Sequence, residues 1–437
     1  MFYIFFSNPF HILQNEDDQF CSLCIIITQL CIVLAQEFEA MKENIQRGLF
    51  SLCSIALLLV SMGYIVLSTF AATHPRSDFV TTSGTQLTLR GQPYTITGIN
   101  YYPQDTPWDK FWVNYNGKTS DKDFTLLNTL HINAVRIFLP FYEFGGANVG
   151  HNPPPQPGSP FQMVSQPLEK LTDLLARAKT HHLHLIVTLF DFHTDYSLQH
   201  WAQAEPYLKT ILTRFRDDPT ILAWDLKNEP NLDYPASGKG LVDSWLAHIA
   251  HLAHLSDPHH LLTIGWSNSV AAQTRIPGID FVSFHYYLPV TELPQAYAAL
   301  DAAIPDLPIL LTEFGLSTAG THNASTAQLE DAQKQYYAAI FQFWQTTQSP
   351  GTFCWTLYDF TYIPPLFGND PQQIEAQKHF GLVHDDGTLK PVAALVASHS
   401  SSQKIPLLPL DTWLQPAMIV VAFLLVIFIV LLKMHTH

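Results

Sequence analysis

The chain reads as an α/β protein: a (β/α)8 TIM barrel with a small N-terminal β-hairpin, flanked by one N-terminal and one C-terminal transmembrane helix. Three observations predict the barrel. Eight short apolar runs recur between residues 94 and 357, longer amphipathic stretches separate them, and the first run leads into no glycine-rich phosphate loop. Strands buried on both faces read as continuous apolar runs, and helices between them make the sheet parallel. Eight such units close into a barrel. An open doubly wound sheet is the alternative, but it normally carries a glycine-rich turn where this chain has Gly98-Ile99-Asn100-Tyr101-Tyr102.

The elements follow in order. Residues 80–89 form a hairpin turning at Ser83-Gly84 and closing the bottom of the barrel. Strands are predicted at 94–99, 134–139, 183–190, 221–226, 261–266, 281–284, 309–312 and 352–357. Helical spacing fills most gaps: Leu168, Leu171, Leu174, Leu175 and Ala178 share one face, and Leu241, Trp245, Ile249 and Leu252 another. The Gly- and Pro-rich loop at 145–160 follows the second strand and is expected to wall the cleft. The barrel is assigned to residues 75–397, and 398–412 to a serine-rich linker.

The chain ends are apolar. Charged residues make up 14% of the 437, against roughly 25% in ordinary domains. Residues 48–73 and 413–432 are free of charge, and each is near the roughly 20 residues a spanning helix needs. Lys42 and Arg47 precede the first; Lys433, His435 and His437 follow the second. Positive flanks stay cytoplasmic, so the region between is expected outside the cell membrane. Residues 41–74 are a signal-anchor or a cleaved signal peptide, 413–433 a transmembrane helix and 434–437 a cytoplasmic tail. Residues 1–40 carry Glu16, Asp17, Asp18, Glu37 and Glu39 but no lysine or arginine. They read as an over-extended translation start or as a third hydrophobic segment.

Four of the five cysteines lie in residues 1–53, leaving Cys354 alone in the exported part, so no disulfide forms within it. Cys21-x-x-Cys24 sits in an apolar run without partner ligands. A net charge of −15 argues against a nucleic-acid partner.

The chemistry centres on two carboxylates. Glu229 follows the fourth strand in Asn228-Glu229-Pro230, and Glu313 ends the seventh in Leu311-Thr312-Glu313-Phe314-Gly315. A carboxylate beside buried strands is costly unless satisfied or used. Catalytic groups of a barrel project from the C-terminal strand ends, and strands four and seven face each other. The pair is thus placed for the separation of roughly 5 Å that a retaining glycosidase uses.

On these motifs residues 78–397 resemble the retaining glycoside hydrolases of clan A, most closely glycoside hydrolase family 5, the cellulase and mannanase family. The resemblance implies that Glu229 is the acid/base, Glu313 the nucleophile and Asn228 the ligand of the sugar 2-hydroxyl. It implies that Arg136 of Val135-Arg136-Ile137 braces the nucleophile, and that His285 and Tyr287 neighbour the acid/base and the nucleophile respectively. His193 of Asp191-Phe192-His193 resembles a third-strand subsite histidine, and Trp355 the eighth-strand tryptophan under the sugar. The Phe380-Gly381-Leu382-Val383 segment, Asp386-Gly387 and Lys390-Pro391 resemble the closing segment of such barrels. No histidine follows the first strand, and the hairpin with Asn100-Tyr101-Tyr102 resembles the mannanase branch. Trp108, Trp112, Trp201 and Trp266 are candidate further platforms or core.

His181, His182 and His184, and His248, His251 and His254, have ligand chemistry but no completing carboxylate, so they read as solvated side chains. The expectation is a monomeric, membrane-tethered retaining β-glycosidase acting on a β-1,4-mannan or β-glucan type of carbohydrate, with no cofactor and no metal. A non-catalytic glycan-binding barrel and a transglycosylase in exopolysaccharide processing are the alternatives.

Overall fold

Among the described residues the hairpin comes first, and it closes one end of the barrel. Strands β1 (Val80–Ser83) and β2 (Gln86–Leu89) pair antiparallel, and β3 (Gln92–Pro93) adds a short third strand. Val80 and Leu87 turn inward onto Ile96, Ala134, Ile186, Leu222, Phe281 and Phe353. The hairpin thereby plugs the N-terminal mouth of the sheet that follows. The computed structural model describes residues 78–145, 163–320, 324–368 and 370–402, within the compact unit Arg76–Pro406.

That sheet is β4 (Ile96–Asn100), β5 (Ala134–Pro140), β6 (His184–Asp191), β7 (Ile221–Asn228), β8 (Leu261–Trp266), β9 (Val282–Tyr286), β10 (Ile309–Phe314) and β11 (Gly351–Cys354). The strands stand in chain order and β11 pairs with β4, closing a barrel that is parallel throughout. Six of the eight strands are buried at every residue, as a sheet covered on both faces requires. Inside, Phe353 lies flat against Gly98, where a Cβ would meet its ring at 2.2 Å. Only glycine allows that packing. Cys354 ends β11, fully buried, and its carbonyl accepts from Asn100 Nδ2 across the β11–β4 pair.

The helices are α1 (Gly117–Thr129), α2 (Phe141–Phe144), α3 (Ser165–Thr180), α4 (Leu198–Phe215), α5 (Tyr234–Ser237), α6 (Lys239–Ser256), α7 (Leu293–Ala303), α8 (Thr326–Trp344), α9 (Pro371–Lys378) and α10 (Pro391–Ser402). The predicted face of α3 is the buried one. On α6 the buried stripe is Val242, Trp245, Leu246, Ile249, Ala250 and Ala253, while Leu241 is exposed. Small Ala250 and Ala253 set that face against the barrel, a turn of the helix that spacing among large residues alone does not reveal.

Two further expectations need adjustment. The eighth strand ends at Cys354, not at residue 357. Helix α10 runs to Ser402, so residues 398–402 are helical where a linker is expected. Among the described residues no helix is long and apolar enough to cross a membrane. The segments at 1–77 and 403–437, with both expected spans, and residues 146–162, which hold all but the first residue of the predicted loop at 145–160, lie outside the described residues.

Candidate active site

At the C-terminal mouth of the barrel the side chain with the most bonds is Arg136, from β5, fully buried. Its Nε and Nη2 donate to Asp225 Oδ2 at 3.0 and 2.6 Å, and Nη2 also to Asn228 Oδ1 at 2.8 Å. Its Nη1 donates to Asn100 Oδ1 at 3.0 Å and to Glu313 Oε1 at 2.5 Å. A guanidinium has five N–H donors, and all five are engaged. Burial disfavours its charge, but the carboxylates of Asp225 and Glu313 outweigh that and hold its pKa above the usual arginine value. Gly265 of β8 makes the room: a Cβ there would stand 2.7 Å from Nη2.

Glu313 sits near the end of β10 with its side chain 7% exposed. Arg136 holds one oxygen, and Tyr287 donates its hydroxyl to the other at 2.8 Å. Burial, then the charges of Glu313 and Glu229, push the Tyr287 pKa well up, so it stays a donor. The residue as a whole is 41% exposed, and its ring packs edge-on against Phe380 at 5.8 Å. The hydroxyl is the buried end.

Glu229 follows β7 with φ 47° and ψ 47°. A bulky residue in that left-handed region costs about 1–3 kcal/mol and marks an over-determined, functional position. Its N–H donates to Gly265 O at 2.7 Å, and Pro230 fixes the turn beyond. The carboxylate, 25% exposed, accepts from His285 Nδ1 at 2.7 Å. Burial raises its pKa, but the His285 hydrogen bond and charge, then Arg136 and Lys227, bring it below the ordinary glutamate value. His285 Nδ1 is also 3.5 Å from Glu313 Oε2. One ligand-capable atom from each of Glu229, His285 and Glu313 falls within 4.8 Å of the others. Both oxygens of Glu313 and the Nδ1 of His285 are already hydrogen-bonded, so the cluster reads as a proton-handling set.

These groups face a cavity of about 290 Å³ whose walls include Trp108, Phe138, Trp355, Phe367 and Phe380. Trp355 stands edge-on to Tyr102 and Phe138, with centroids 6.5 and 6.1 Å apart. Its peptide bond to Thr356 is cis. A larger hollow, about 540 Å³, lies beside the hairpin at the opposite end, with Asp301 its one carboxylate and no charged partner across it. The chemistry is at the barrel mouth.

Asn228, Glu229, His285, Tyr287, Glu313, Arg136 and Trp355 thus converge as expected. His193 does not. Phe192 takes φ 56°, which breaks the strand alternation and sends His193 inward among Phe141, Phe190, Tyr196 and Trp245. Burial, and after it Lys227, pushes its pKa down to about 3. Asp191 and Phe192 line the cleft in its place. Of the candidate platforms, Trp108 is at the cleft. Trp112 is core, donating to Phe138 O at 2.7 Å, and Trp266 is buried. Trp201 stacks on His248 between α4 and α6. The histidine groups serve separate bonds: His181 to Asp121, His248 to Glu205 and His254 to Gly278 O. His184 is not solvated but tucked against Tyr94, whose hydroxyl lies 2.8 Å from its Nδ1.

Two buried residues that the motifs did not flag complete the site. Asp225 pairs with Arg136 and also accepts from Thr188 Oγ1 and the Gly265 N–H. Asn100 carries Arg136 on its carbonyl oxygen and donates to Thr312 O. An aspartate inside the apolar run 221–226 was the available signal for the first.

Known proteins resemble this chain in sequence and in fold. Residues 87–360 match the family model for cellulase, glycosyl hydrolase family 5. A putative mannan endo-1,4-beta-mannosidase of Arabidopsis thaliana is 26% identical over 61% of this chain and 79% of its own length. Among solved structures, an exo-beta-1,4-mannosidase from Opitutaceae bacterium strain TAV5 superposes with TM-score 0.60 at 20% identity, over 74% of this chain and 62% of that one. A GH2 beta-galacturonidase from Eisenbergiella tayi, bound to galacturonate, gives 0.56 at 17% identity, over 74% and 54%.

Proposed function

Since the chain belongs to glycosyl hydrolase family 5 and is a glycoside hydrolase, we propose that it is a retaining β-glycosidase with Glu313 as nucleophile and Glu229 as acid/base. The observation that carries the proposal is the pair itself. Two carboxylates approach within 4.8 Å, one clamped by Arg136 and Tyr287 and the other bonded to His285. That spacing suits direct attack and leaves too little room for the water an inverting enzyme places between its carboxyls.

The roles follow from the partners. Arg136 and Tyr287 each bond one oxygen of Glu313 and aim it, so an oxygen attacks the anomeric carbon as the glycosidic bond breaks. Glu229, hydrogen-bonded to His285, carries the proton for the leaving group. Glu229 passes that proton to the leaving oxygen, then takes one from the water that releases the sugar from Glu313. Arg136 fixes the Asn228 amide by its oxygen, leaving Nδ2 to donate to the sugar 2-hydroxyl. Trp355 and Trp108 offer aromatic walls to the sugar's C–H faces.

The mannosidase relatives and the Asn100-Tyr101-Tyr102 turn favour a β-1,4-linked mannan type of substrate, with β-glucan second. The apolar ends and their positive flanks support a tether to the cell membrane with the barrel outside. Glu313→Gln is expected to lower kcat by roughly 10⁴-fold or more with the melting temperature unchanged. NMR of the first product from wild type should show the β anomer. Turnover in the variant, or an α product, removes the proposal.

A further inference from the structure

The third strand of the barrel contributes an acid to the cleft where a histidine was expected. Asp191 ends β6, is 3% exposed and lines the same cavity as Glu229 and Glu313. Its carboxylate has few partners for its lone pairs. The Phe192 N–H supports it, and among the described residues the one side-chain donor in reach is the Tyr102 hydroxyl, 3.5 Å from Oδ2 at the limit of a hydrogen bond. Buried carboxylates retain such openings at a cost, and a sugar hydroxyl is the donor the cavity would bring.

The charge balance of the cleft narrows the sugar. Three carboxyls line it, Asp191, Glu229 and Glu313, and no lysine or arginine does among the described residues. The nearest cations are committed. Every N–H of Arg136 is engaged, and Lys227 donates to Asn228 O at 2.8 Å with Asp233 3.9 Å away. Residues 146–162 contain no lysine or arginine either. Burial raises the Asp191 carboxyl to about 6 against the pull of Lys227 and Arg136, so it is mostly ionised at pH 7.5. A sugar bearing its own carboxylate would meet like charges here, and Arg136 and Lys227, the cations that act on Asp191, are already paired with Asp225, Glu313 and Asp233. The barrel fold itself does not decide this, since it is shared with the galacturonate-bound GH2 protein.

We propose that Asp191 is a specificity-determining residue: its carboxylate accepts a hydrogen bond from a hydroxyl of a neutral sugar and repels a uronate. The proposal rests on the glycosidase reading above and adds to it a selectivity residue on the third strand.

The test is kcat/KM of the full-length protein at pH 7.5 on p-nitrophenyl β-mannoside, β-glucoside and β-glucuronide, for wild type and Asp191→Asn. Wild type should favour its better neutral substrate over the glucuronide by at least roughly 10³-fold. The isosteric variant should lose about tenfold on the neutral substrate, the scale of one charge-assisted hydrogen bond. It should gain on the glucuronide, so that the ratio collapses by a hundredfold or so. A purely structural residue would lower both substrates in parallel and leave the ratio unmoved, which overturns the proposal. If the variant does not fold, the wild-type ratio decides, and a value near one overturns it. Turnover of none of the three by wild type would instead count against the glycosidase reading on which the proposal stands.

Discussion

Arg136 shows how one residue ties the site to the fold. It links β4, β7 and β10 through Asn100, Asp225, Asn228 and Glu313, so a change at Asp225 would reach the reacting carboxylate without touching sugar. Glu143 of α2 is a different case: buried, with neither carboxylate oxygen hydrogen-bonded. Burial, then the charge of Asp109, raises its pKa from 4.5 to about 8, with Lys170 opposing. Between those values the folded protein holds a proton that the unfolded chain has released, so stability falls as pH rises from 4.5 to 8 and levels off above. Glu143→Gln should remove up to about 1.4 kcal/mol per pH unit of that slope. Urea denaturation at pH 5.5, 6.5 and 7.5 measures it, and an unchanged slope would show Glu143 ionised throughout. At this scale the sequence was most legible where a motif carried the residue, as with Asn228, Glu229, His285 and Tyr287. It was least legible where backbone conformation decided. Nothing in Asp191-Phe192-His193 announces the positive φ of Phe192 that turns His193 away and brings Asp191 forward. Asp225 stayed hidden because strand runs were read for apolar content, although a charge within such a run demands a partner; Asn100, one residue past the predicted first strand, was read only as part of the turn with Tyr101 and Tyr102.

At the scale of elements, the eight apolar runs matched the eight barrel strands because burial on both faces leaves little freedom in composition. Boundaries drifted where chain direction changes for local reasons, as at Cys354 and Ser402. The α6 face drifted because small Ala250 and Ala253, and not Leu241, lie on its buried side. The hairpin has the clearest energetic role. Leu87 is fully buried in the plug with Val80, far along the barrel from the carboxylates. Leu87→Ala should cost about 2–4 kcal/mol of unfolding free energy. The folded fraction should keep wild-type kcat/KM, as read by denaturation and initial rates on one preparation. A large loss of kcat/KM with little loss of stability would place the hairpin in the catalytic coupling instead.

For the whole molecule, Arg76–Pro406 is a compact unit with its own barrel and core. The proposed anchors lie outside it. A fragment of residues 76–406 should be soluble and match the full-length kcat/KM on a small glycoside, while the full-length chain partitions into membranes. Full-length protein in the soluble fraction of lysed cells would contradict the tether. The fragment also retains a single thiol, Cys354, at the pair of strands that closes the barrel, with burial holding its pKa far above the ordinary thiol value. A thiol reagent meets that sulfur only when the packing that covers it opens. Labelling of the unmodified fragment therefore acts as a clock, each event timing one opening of the cover over the barrel's last strand.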